Sequence, residues 1–135
     1  MNWSTGDSGG ILEMSPERFG IIFQVAKELP NVSDRVIESQ GCTHTDASDL
    51  LRILRLARGE IGETTVSVRF RLLPGSREEP VLGAPSAIEI VAAPGDMAKW
   101  RRMLEAVCAS LGPEELFLRS GYREEEVREA LDFLS

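Results

Sequence analysis

The sequence predicts an α+β fold, a two-layer sandwich in which an antiparallel β-hairpin or small sheet packs against roughly three to five helices. Three observations predict it. In residues 65–73, apolar Val66, Val68, Phe70 and Leu72 alternate with Thr65, Ser67, Arg69 and Arg71, the period of a half-buried strand. Residues 87–92 repeat that period, with Ile88 and Ile90 flanking Glu89. On both sides of this pair, apolar residues recur at three- and four-residue spacing, the period of helices with one buried face. The 135 residues, 42% of them hydrophobic, suit one domain spanning 1–135, with no linker or low-complexity segment.

The first ten residues are polar and Gly-rich and read as a flexible leader outside the fold. Residues 11–14 are short enough for an edge strand. Ser15-Pro16 starts a helix, since Ser caps it and Pro occupies the first position, where its missing N–H costs nothing. Phe19, Ile22, Phe23, Ala26 and Leu29 form its inner stripe, Pro30 ends it, and Gly20 suggests that another backbone approaches closely. A short helix follows at 33–40, stopped by Gly41. A longer one follows at 47–58, capped by Asp46 or Ser48, with Leu50, Leu51, Ile53, Leu54 and Ala57 inside and Arg52, Arg55 and Arg58 outside.

After the strand at 65–73, Pro74-Gly75 and a polar connection lead to the strand at 87–92. If the two pair, Arg69 or Arg71 faces Glu89 on the wet side. Pro94-Gly95-Asp96 turns into a helix through Met97, Trp100, Leu104, Val107 and Leu111, with Cys108 extending the stripe and Gly112-Pro113 as a sharp stop. Met97, Trp100 and Met103 are expected in the core at this spacing rather than as surface anchors. A short element near 116–118, a turn at Ser120-Gly121 and a last helix at 123–134 complete the chain.

Charge and composition exclude several classes. The formal net charge of −7 repels polyanions, and nucleic-acid binding calls for a basic footprint instead. No apolar run approaches the roughly 20 residues that span a bilayer, and residues 1–10 have no secretory-signal pattern. Two cysteines, Cys42 and Cys108, suit a reducing compartment, so the expected location is cytoplasmic. Thirteen Arg against two Lys is compatible with a GC-rich coding genome. Arginines concentrate at Arg52, Arg55, Arg58, Arg69, Arg71 and Arg77. Carboxylates concentrate in the tail at Glu114, Glu115, Glu124, Glu125, Glu126, Glu129 and Asp132, and the two sets are expected to be solvated faces that partly satisfy each other.

Three motifs bear on chemistry. Gly6-Asp7-Ser8-Gly9-Gly10 resembles the segment around the nucleophile of trypsin-like serine proteases. That resemblance implies a His and an Asp upstream of the Ser, whereas the single His, His44, lies downstream of Ser8, so the string reads as leader. Cys42-Thr43-His44-Thr45-Asp46 could align a thiol, an imidazole and a carboxylate in an extended loop, as a zinc site or a Cys nucleophile with its base. The competing reading is a helix–helix connection in which Asp46 caps the next helix. The tail, 114–134, resembles the two-helix units of helix-turn-helix and ubiquitin-associated modules. It would offer Glu124, Glu125 and Glu126 where a DNA-reading helix needs Arg, Asn or Gln. Those glutamates fit the first turn of a helix, where negative charge meets the dipole.

The function expected from this pattern is a non-enzymatic protein-binding module, such as an immunity protein, adaptor or small chaperone. Its expected partner is another protein, a basic one being compatible with the charge, with no cofactor, nucleic acid or membrane. The alternatives are a small enzyme or metal protein built on Cys42, His44 and Asp46, and a homo-oligomer subunit that pairs through the edge of the 65–92 hairpin.

Overall fold

A computed structural model describes residues 3–6, 9–72, 79–82, 87–93 and 95–134, with side chains described from residue 11 onward except over 72–86. Its strands are β1 (Trp3–Gly6), β2 (Gly9–Met14), β3 (Ser67–Leu72), β4 (Glu79–Leu82) and β5 (Ala87–Ala92). Its α-helices are α1 (Pro16–Ala26), α2 (Asp34–Ser39), α3 (His44–Glu60), α4 (Asp96–Ser120) and α5 (Glu124–Asp132), with a 3-10 turn at Leu29–Asn31. The fold is α+β.

The sheet runs in the order β1-β2-β3-β5-β4 and is mixed. β1 pairs antiparallel with β2, β2 with β3, and β4 with β5, but β3 and β5 run parallel, with Val68 beside Ile88 and Phe70 beside Ile90. The expected antiparallel hairpin of 65–92 is therefore corrected. Two alternating strands can pair either way. What reverses β5 here is β4, which occupies the connection and pairs with β5 from the far side, so that β5 inserts between β3 and β4. The expected free edge of β3 and β5 goes with it, because both are interior strands and the sheet's edges are β1 and β4.

The segment read as a leader contributes β1 and the start of β2, with Trp3 beside Leu12 and Gly6 beside Gly9. Asp7 and Ser8 of the protease-like string lie outside the described residues.

One face of the sheet carries Leu12, Met14, Val68, Phe70, Ile88, Ile90 and Ala92, all buried, and the helices pack on it. Register explains the layering, since Leu12, Phe70 and Ile90 form one row across three strands and Met14, Val68 and Ile88 the next. Phe70 sits between Phe19 of α1 and Trp100 of α4, at centroid distances of 6.4 and 5.9 Å. Met97, Trp100 and Met103 are core residues, as their spacing predicts. The other face bears Ile11, Glu13, Arg69, Arg71, Glu89 and Val91, partly or fully exposed. There Arg69 pairs with Glu13, and Arg71 with Glu89 at 2.9 Å.

α1 starts as its sequence dictates, with the Ser15 hydroxyl accepting from the Arg18 N–H at 3.2 Å and Pro16 in the first turn. A Cβ built on Gly20 meets nothing within 4 Å, so no backbone crosses there and the expected close approach is absent.

Gly112-Pro113 does not end the helical run. Gly112 takes φ 80° and ψ 165°, breaking α4, and the helix resumes to Ser120. Pro113 falls in the first turn of the resumed stretch, where it removes no hydrogen bond. The expected short element at 116–118 is thus part of α4, and Gly121 closes it in the left-handed conformation, its N–H donating to the Phe117 carbonyl at 2.9 Å. Leu116, Val127, Ala130, Leu131 and Leu134 fasten this two-helix tail to the core.

Candidate functional site

The segment 42–46 folds as the junction of α2 and α3, and each of its three chemical groups has a different partner. Cys42 is buried, and its Sγ donates to the Gln40 carbonyl at 3.6 Å. His44 is the first residue of α3. Its imidazole is largely exposed and lies 3.4 Å from the Asp34 carboxylate. Asp46 accepts from the Thr43 N–H at 2.8 Å while the Thr43 hydroxyl accepts from the Asp46 N–H at 3.1 Å. That reciprocal pair is a capping box, so the helix begins at His44 rather than Ala47, and Thr43 is the cap that sequence reading overlooked. Periodicity sets the inner face of a helix but leaves its first turn to caps, and Thr-x-x-Asp was the available signal. Among the described residues no group of three or more His, Cys, Asp and Glu side chains converges as a metal site would require.

A groove of about 460 Å³ runs between α4 and α5, with Cys108 in its wall and Arg101, Glu105, Glu124 and Arg128 around it. Burial, followed by the nearby Glu124 and Glu105 carboxylates, pushes the Cys108 thiol up to about 11. The groove's arginines are held by their own chain. Arg101 bonds Glu105 and Asp132, the latter at 2.8 Å, and Arg128 reaches Glu124 at 3.1 Å. A thiol in this setting is a protonated, poor nucleophile at neutral pH.

Four of the tail's carboxylates pair with arginines of α1, of α4 and of the tail itself rather than with the mid-chain arginines. Glu129 pairs with Arg18, Asp132 with Arg101, Glu115 with Arg119, and Glu124 with Arg128. Arg119 also reaches Glu28 at 3.2 Å, and Glu126 caps α5 by accepting from the Arg123 N–H. Glu114, exposed on the resumed half of α4, makes no ion pair among the described residues.

Beside Glu114 the helix exposes two large apolar side chains in succession, Phe117 at 47% and Leu118 at 68%. Phe117 lies three residues and Leu118 four residues beyond Glu114, so the three share one helical face. This patch escaped sequence reading because the helix was expected to stop at Gly112-Pro113, leaving 116–118 without a face to assign.

On the opposite kind of surface, α3 exposes Arg52, Arg55 and Leu56 around a shallow depression of about 380 Å³ that Ser48 and Leu51 complete. Arg58, one turn on, stacks over the Phe23 ring at 5.9 Å. Among the described residues no carboxylate pairs with Arg52 or Arg55.

No protein-family model, curated protein or solved structure matches this chain. No helix among the described residues is long and apolar enough to cross a membrane.

Proposed function

We propose that this chain is a non-enzymatic protein-binding module that engages its partner through the resumed end of α4. One observation carries the reading: Phe117 and Leu118 stand exposed side by side, with Glu114 on the same face. Exposing two large apolar groups together is costly in water and is favoured where a partner covers them. The carboxylate selects a partner whose own apolar depression is rimmed with positive charge, in keeping with the net charge of −7. The reading is further supported by Cys42, His44 and Asp46, which serve packing, a surface pair and a helix cap.

The test is recovery of partner from the native host on immobilised wild type and on Leu118→Glu, at low and at high salt. The expected result is a protein that wild type retains, that Leu118→Glu loses, and that elutes as salt rises. Equal recovery on both proteins, or recovery of nothing at low salt by a chain that also fails to self-associate, overturns the proposal.

A further inference from the structure

We infer that the partner of the α4 end is a second copy of this chain, docked on the Arg52–Arg55–Leu56 depression of α3. The inference rests on the reading of Phe117 and Leu118 as a contact surface, and it names what covers them.

The argument is complementarity between two surfaces of one molecule. The α4 end offers an apolar projection, Phe117 and Leu118, with a carboxylate, Glu114, that no cation of its own chain pairs with among the described residues. The α3 surface offers the converse, an apolar floor of Leu51 and Leu56 with two guanidinium groups at its rim. Both arginines lack a carboxylate partner among the described residues, in a chain with seven more acidic than basic side chains. Six of the eight other arginines on the helical layer are engaged: Arg18, Arg101, Arg119 and Arg128 with carboxylates, Arg58 on an aromatic ring, and Arg102 on the Gln40 carbonyl, which leaves Arg35 and Arg123 without an ion pair among the described residues, neither of them lining the depression. A depression of about 380 Å³ is large enough to take a Phe or Leu side chain beside the two guanidinium groups. Arg52 and Leu56 are one turn apart on α3, as Glu114 and Leu118 are on α4, so two helices laid side by side in parallel bring charge onto charge and apolar group onto apolar group.

The contact is small, below the roughly 800 Å² per partner of a stable interface, and the −7 charge on each copy opposes approach. Association should therefore be weak, with a Kd of about 0.1–1 mM at about 0.15 M salt, where the net repulsion is screened beyond about 8 Å.

Sedimentation velocity from low micromolar to about 1 mM tests this. Wild type should show a weight-average mass that rises with concentration. Arg52→Glu/Arg55→Glu and Leu118→Glu should each weaken association at least about tenfold. All three positions are exposed, so circular dichroism and thermal melts should match wild type. The decisive arm mixes the two variants in equal amounts. One retains the α4 end and the other retains the depression, so the mixture should associate where neither does alone. A wild type that stays monomeric to about 1 mM, or a mixture no more associated than its components, overturns the inference. If the wild type is monomeric while Leu118→Glu still loses a host partner, the α4 end binds a different protein. If Leu118→Glu associates as wild type does, the α4 end is not the contact and this inference falls.

Discussion

At the scale of single residues, polar groups in this protein mostly close local hydrogen-bond circuits. Ser120 is the buried example: its hydroxyl donates to the Leu116 carbonyl at 2.6 Å and accepts from the Tyr122 N–H at 3.1 Å, tying the end of α4 to the turn that follows. Ser120→Ala should cost about 1–2 kcal/mol in denaturant melts, because it strands the partly buried Tyr122 N–H. Thr43→Ala should cost about 1 kcal/mol through the α3 cap. His44→Ala should leave the alkylation rate of Cys42 unchanged, whereas a nucleophile–base pair would show a clear drop. For Cys108 the sign follows from burial. The folded thiol titrates near 11 and the unfolded one near 9.0, so its contribution to stability is intact below pH 9 and fades as pH rises toward 11. Stability measured over that window should fall, and Cys108→Ala should flatten the fall. The residue pattern around Cys42 was legible as a choice between a site and a cap. What decided it was the direction of three side chains, which spacing alone does not set.

At the scale of elements, the sequence announces helices and strands through period and misplaces them where backbone conformation decides. α1 begins at Pro16, as Ser15-Pro16 predicts, and Val68 and Phe70 are buried as the alternation marks, whereas Val66, expected on the same inner face, lies ahead of the strand's start at Ser67 and is exposed. Glycine carries the errors. Gly20 reads the same in sequence as Gly112, yet the first is an ordinary helical residue with open space around it and the second sits at φ 80° and ψ 165°, a region nearly closed to other residues. Opposite outcomes follow. Gly20→Ala should stabilise by about 0.5–1 kcal/mol, and Gly112→Ala should destabilise by about 1–3 kcal/mol, both read from melting curves. Strand direction was illegible for a related reason. Alternation marks which residues face inward and is blind to whether a neighbour runs up or down, and no apolar alternation advertised β4 in the segment that joins β3 to β5.

At the scale of the whole molecule, the layers sort by who is sandwiched. β3 and β5 lie in the middle of the sheet with helices on one side, while β1 and β4 each have a single neighbouring strand. Native-state hydrogen exchange should be slowest in Val68–Phe70 and Ile88–Ile90 and fastest in β1 and β4, and comparable rates across the sheet would contradict this ranking. Charge is arranged in the same economical way. The mid-chain arginines and tail carboxylates are expected from sequence to be solvated faces that partly satisfy each other, whereas in the structure Glu115, Glu124, Glu129 and Asp132 pair with other arginines, and Glu114 and Glu125, like Arg52 and Arg55 on α3, make no ion pair among the described residues. Composition conveys the surplus but not who holds whom, so the unspent charges could be found only once the helices were in place.

The helix that opens the helical layer is covered by the ones that close it: α1 packs against α4 and α5 as well as α3. During synthesis, Phe19, Ile22 and Val25 leave the ribosome long before Asp96 has been translated, at about 5–20 residues per second. The nascent chain must therefore carry an unsheltered greasy stripe for seconds, and its final collapse waits on the last helices to emerge. A translation-arrest force profile should register its main pull only after α4 and α5 have cleared the exit tunnel.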